Sequence, residues 1–194
     1  MTQISITAMK RLFAILGLVA MLWWMGASPA AAAIPEDVQK LRETNECPVC
    51  ILNEADLHGA NLASANLKIA VLVKANLVEA DLQDANLMLS DLEEANLTGA
   101  NLTNARMNGA NLLRTTLTGA NLSNVEMTQA NLEDADLSGA NLTNAVMLSV
   151  TLGQANLKDA NLTGANLRGV NRSQVLFCNT IMPDGAIENR DCGK

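Results

Sequence analysis

Thiols and imidazoles are the usual starting points of nucleophilic, redox and zinc chemistry, and this 194-residue sequence has four cysteines and one histidine. The cysteines fall in two pairs, Cys47/Cys50 and Cys178/Cys192. Taken alone, the four thiols admit three chemistries: a four-cysteine zinc site, a redox-active C-x-x-C at Cys47-Pro48-Val49-Cys50, or structural disulfides. His58 stands without a second histidine, so neither a Ser-His-Asp nor a Cys-His arrangement gains support. The carboxylates number 20, but they are spread along the chain and no segment gathers them into a pocket that would raise a pKa. Which chemistry the thiols serve depends on what holds them.

Those elements show themselves as a period. From Leu57 to Leu167 every fifth residue is Leu, except Met107, Met127 and Met147, giving 23 units in one unbroken register. Ala lies two positions earlier in 19 of the 23, with Ser90, Thr115, Val125 and Val150 as exceptions. Asn or Asp immediately precedes the Leu in 17, as in Ala60-Asn61-Leu62 and Ala135-Asp136-Leu137. A period of five matches neither a helix at 3.6 nor a strand at 2.0. A chain that turns a corner every five residues directs each Leu inward, with the small Ala beside it. Aromatic residues make only 2% of the chain, and Phe177 is the one beyond residue 24. Leu and Ala must therefore build the core, which argues against a mixed globular fold.

Over about residues 50–182 this pattern resembles the pentapeptide-repeat family. The resemblance implies an all-β solenoid, a right-handed quadrilateral β-helix with about 20 residues in each coil. Residues twenty apart test that length independently: Glu54, Lys74, Glu94, Arg114 and Asp134 alternate in sign. Stacked at the strand spacing of about 4.8 Å, they form a ladder of opposite charges. Asn104, Asn124 and Asn144 stack in the same way, as do the three methionines, and Arg106 stacks on Glu126.

The rod needs caps, because each coil touches only its neighbours. Pro35–Arg42 reads as a short helix, with Pro and acids in its first turn. Ile34, Val38 and Leu41 share one face, expected to cover the first coil. At the other end Arg172 replaces an inward Leu, the register resumes at Phe177 and Met182, and Pro183-Asp184-Gly185 makes a turn. Phe177 is the expected plug. The domains are thus a leader (1–33), a helical cap (34–49), the repeat (50–182) and a C-terminal cap (183–194). In such a rod the cysteine pairs lie roughly 30 Å apart at strand spacing, so one chain cannot assemble the zinc site. Pairing within each end remains, and Cys178–Cys192 would add about 3 kcal/mol in the loop-entropy model. Cys47 follows a helix instead of opening one, so it lacks the dipole that activates a redox thiolate; a structural bond with Cys50 is the stronger reading.

Lys10 and Arg11, the uncharged run Leu12–Ala33 and the ending Ser28-Pro29-Ala30-Ala31-Ala32-Ala33 have the order of a secretory leader, cleaved after Ala33. A retained anchor is the competing reading; both carry the body across a membrane. The tail Phe177-Cys178-Asn179-Thr180-Ile181-Met182-Pro183-Asp184-Gly185 resembles exported pentapeptide-repeat proteins of the thylakoid lumen, which implies a lumenal or periplasmic location. A formal charge of −7 disfavours nucleic acid, and no calcium-roll motif is present; neither metal nor cofactor is expected. The expected function is a non-enzymatic scaffold or protein-interaction module. Ile69, Val71, Val73, Val78, Met88 and Leu89, apolar at outward positions, are the candidate partner patch. Two alternatives are a DNA-mimicking regulator of type II topoisomerases, implied by another branch of the family, and a thiol–disulfide protein using Cys47 and Cys50. The export signal, the alternating charges and the cysteine tail depart from the first.

Overall fold

The computed structural model describes residues 32–193. Apart from its last two residues, the expected leader lies outside the described residues. Among the described residues no helix is long and apolar enough to cross a membrane.

Helix α1 spans Pro35–Thr44, two residues beyond the expected end, and stops where Asn45 adopts a left-handed conformation whose N–H donates to the Leu41 carbonyl. Leu41 is fully buried and Val38 packs partly against the core. Ile34 differs from expectation: it is 39% exposed, because its backbone serves as the helix N-cap and its N–H donates to the Ile51 carbonyl at 2.9 Å. The covering face is therefore Val38 and Leu41.

Beyond α1 the chain coils with four turns in every 20 residues, and parallel bridges pair one residue of a side with the one twenty further on, from Glu46↔Asn66 to Asn161↔Ile181. Each side contributes a single bridged residue between corners, so the sheets consist of isolated bridges and not of long strands. Three backbone bonds recur: Leu52 N–H to the Val71 carbonyl (2.7 Å), Glu54 N–H to the Val73 carbonyl (2.9 Å) and Val71 N–H to the Cys50 carbonyl (2.9 Å). A fourth, Ala55 N–H to the Leu52 carbonyl (3.1 Å), closes the corner.

The third residue of most corners is left-handed, as type II turns require; at the Leu152–Ala155 corner the second residue, Gly153, takes that conformation instead, at φ 40°. Glycine accepts that conformation freely, but most positions here are not glycine; Glu54, Lys74, Glu94 and Arg114 have φ of 57°, 58°, 58° and 55°. Such a conformation costs an L-residue about 1–2 kcal/mol, offset by the N–H bond each of these residues makes to the next coil. Asn and Asp before the Leu brace the corner. Asn96 Oδ1 accepts from Thr98 N–H at 3.0 Å, while Asn76 Nδ2 reaches Asp56 on the preceding coil at 2.9 Å. The core is the expected column of Leu, Met and Ala, with Leu97, Met107 and Met127 at 0% exposure. Where a hydroxyl replaces Ala it finds an acceptor: Ser90 Oγ donates to the Leu87 carbonyl (2.7 Å) and Thr115 Oγ1 to the Leu92 carbonyl (2.9 Å).

At the C-terminal end, β1 (Thr180–Ile181) and β2 (Ile187–Glu188) form an antiparallel pair around the expected turn. Phe177 is buried at 1% exposure, with the Arg190 guanidinium 4.7 Å from its ring centre. Arg190 also donates to the carbonyls of Arg172 and Val175, the latter at 2.8 Å.

Candidate interaction surface

The thiols are joined within each end: Cys47 to Cys50 and Cys178 to Cys192, with Cα separations of 5.4 and 4.8 Å. Cys47 and Cys50 are buried in the first corner, with Cys47 Sγ 3.3 Å from the carbonyl of Asp37 in the first turn of α1. Asp37 lies close enough to suggest a metal trio, yet its Oδ2 accepts from Ile51 N–H at 2.8 Å, and sulfurs bonded to one another are not thiolate ligands. His58 is exposed on an outer corner.

The charge ladder forms at its centre. Glu94 accepts from Arg114 Nη2 at 2.9 Å and from Lys74 Nζ at 3.5 Å, and Glu93 joins Arg114 as a partner that the column itself does not contain. Arg114 hydrogen bonding, with the Lys74 charge behind it, lowers the Glu94 pKa, and the same contact raises that of Arg114. Hydrogen bonds from Gln83 and then Asn104 lower Asp84 likewise. Arg106 and Glu126 are bridged backbone neighbours as expected. The guanidinium, however, turns to Met88 Sδ at 3.1 Å, while Glu126 accepts from Asn108.

The apolar residues singled out in the sequence separate by corner. Ile69 and Leu89 occupy the same left-handed corner position one coil apart, with Met88 beside Leu89. Val49 precedes them in that column, inside the Cys-Pro-Val-Cys turn. The three stand 66%, 44% and 55% exposed at Val49, Ile69 and Leu89. Val71, bridged to Ile51, adjoins on the next side. Val73 lies one corner further and Val78 at the diagonally opposite corner, so these two do not join the group. Below Leu89 the column continues to Gly109, where an added Cβ would come within 2.7 Å of Leu89 Cδ2. Leu89 thus lies across Gly109, beside a depression of about 420 Å³ flanked by Met88, Asn108 and Thr128. Val49 and Ile51 escaped the sequence reading because they were assigned to the cap and first unit; reading every twentieth residue from Ile69 would have found Val49.

An all-β solenoid with 20-residue coils, a Leu/Ala interior and asparagine-braced corners defines the class. The pentapeptide-repeat profile matches in 8 copies, over residues 50–88, 95–134, 110–147 and 147–182, and the chain belongs to the pentapeptide-repeat family. It is similar to a pentapeptide repeat protein of the Arabidopsis thaliana thylakoid lumen (32% identity, 50% of this chain and 67% of that one, TM-score 0.49). It is also similar to HetL of the cyanobacterium Nostoc sp. strain PCC 7120, a protein involved in heterocyst differentiation regulation (31% identity, 74% of each chain, TM-score 0.43). QnrB1, a plasmid-mediated fluoroquinolone resistance protein, matches at 15% identity over 75% of this chain and 78% of its own, with a TM-score of 0.46. No curated protein matches the chain.

Proposed function

We propose that this protein is an exported, non-enzymatic scaffold, a right-handed quadrilateral rod that docks a protein partner along the corner formed by Val49, Ile69 and Leu89. The observation that carries the reading is the exposure of three large apolar side chains in one column, two of them β-branched and left-handed. Valine and isoleucine are outliers in that conformation, and retention of strain at an exposed site points to use. Two disulfides and the order of residues 10–33 support passage into an oxidising compartment, the thylakoid lumen or periplasm. Burial of Cys47 and Cys50 favours a structural bond over thiol exchange, which needs an accessible sulfur. Alternation of Lys74, Glu94 and Arg114 keeps this corner column from the uniform acidity that imitation of DNA would need.

A photoreactive residue placed at Leu89 in the source cell should yield a discrete protein adduct, while the same residue at Val78 yields none. Equal adducts at both sites, or none at either, would reject the docking corner. Fractionation with N-terminal sequencing tests export; a mature chain starting at Ile34 is expected.

A further inference from the structure

A second site, built on different observations, lies where the ladder misses one rung. Pairing continues on three sides of the last coil, through Val146↔Asn166, Asn156↔Leu176 and Asn161↔Ile181. On the fourth side it stops at Thr151, and Asn171 pairs with nothing among the described residues. Arg172 has replaced the Leu that would hold this segment inward, and the side chain is exposed. Residues 171–174 stand away from the rod, with the Asn171 side chain bonded to Ser173 N–H at 3.0 Å and the Arg172 carbonyl held by Arg190. What remains is a notch of about 350 Å³ bordered by Val150, Leu152, Gly153, Gly169 and Gln174.

The missing rung leaves two backbone groups without their ladder partners. In every preceding coil of this side the Leu N–H donates to a carbonyl nineteen residues on, and the residue two before it accepts from an N–H twenty-one residues on. Leu132 N–H to the Thr151 carbonyl (2.7 Å) and Thr151 N–H to the Ala130 carbonyl (3.1 Å) show the pair. Leu152 N–H and the Val150 carbonyl have no such partner among the described residues, although both residues are buried, at 1% and 3% exposure. Buried backbone groups are seldom left unpaired. These two are spaced to grip the N–H and carbonyl of a single residue in a parallel extended strand. Glu133 supplies the local charge. Its Cγ lies 2.6 Å from where a Cβ on Gly153 would sit, so the side chain leans over the glycine towards the notch. Glu133 has no ion pair among the described residues.

We propose that the notch is a strand-addition site for an extended segment of a partner protein, one that carries a lysine or arginine two residues after the gripped position. Main-chain bonds to Leu152 and Val150 supply the affinity, as in other β-augmentation sites, and Glu133 selects the basic residue. An anionic segment is repelled.

The test uses the full chain in its oxidised state and the pentapeptide Thr-Val-Thr-Lys-Thr-amide carrying a fluorophore on its N-terminus. Amide NMR should show the Leu152 N–H resonance shifting on titration and its hydrogen exchange slowing at least tenfold. N-methylation of the peptide valine and threonines, or Glu133→Lys in the protein, should weaken binding about tenfold or more by anisotropy. Glu133→Gln, exposed and without structural partners, keeps the fold comparison sound and should fall between. An unmoved Leu152 amide at millimolar peptide, equal binding of the methylated peptide, or protection arising only from self-association in sedimentation would each overturn the proposal.

Discussion

Ile69 carries a β-branched side chain at φ 60° on an exposed corner, a conformation that asparagine enters more readily. Ile69→Asn should therefore stabilise the rod by about 1 kcal/mol, read as a raised urea midpoint with unchanged slope, even as it weakens the docking corner. A lowered midpoint would mean that Ile69 packs more than it strains. Glu94 gives a second residue-scale test. Hydrogen bonding from Arg114 holds its folded pKa below the ordinary glutamate value, so the contact favours the folded state above the unfolded glutamate pKa. That contribution fades as pH falls through the lower, folded value. Carboxyl-carbon NMR titration should find the Glu94 midpoint rising towards the ordinary value in Arg114→Gln; an unmoved midpoint would remove the ion pair from the account. The sequence displayed this ladder as alternating signs. It displayed the backbone sign beneath it only in part, because glutamate, lysine, isoleucine and leucine share the left-handed position with the glycines and asparagines that betray it.

Caps behave as elements with their own stability, since a solenoid coil answers mainly to its neighbours. Replacing Cys178 and Cys192 together with serine should speed amide exchange at Phe177 and Ile181 and leave Leu97 and Leu102 protected. Loss of protection throughout would show that the cap governs the whole rod. The cysteine pair, the Phe177 plug and the turn at Pro183-Asp184-Gly185 were legible because each has a residue-type signature. Arg190 was not. Its stacking on Phe177 and its bonds to two carbonyls arise from the way the β1–β2 hairpin folds back over the last coil, and no spacing in the sequence announces that. Ile34 misled for a related reason: helical spacing places it with Val38 and Leu41, but capping turned its backbone to Ile51.

For the molecule as a whole, the 20-residue coil was the most legible feature, since a five-residue period and a twenty-residue charge alternation point to it independently. Excising residues 116–135, one whole coil, should preserve the far-ultraviolet spectrum and cooperative unfolding. Excising only residues 116–120 moves everything downstream by one side of the square, setting Glu126 against Asn101 instead of Arg106. That variant should lose cooperativity and several degrees of melting temperature. Equal behaviour of the two deletions would contradict a fixed coil length. The interrupted rung was only half visible: Arg172 signalled a lost inward Leu, whereas the Leu152 amide without its ladder partner depends on where the displaced segment comes to rest.

Twenty-residue stacking also lines up places that the linear order keeps apart. Val49, Ile69 and Leu89 share their edge of the rod with Ser149 and Gly169, which border the gap beside Thr151. Three steps of about 4.8 Å separate Leu89 from Ser149, a distance that five or so extended residues cover. Anything moored at one of these places is tethered beside the other, and two weak grips joined by so short a leash act as one strong one.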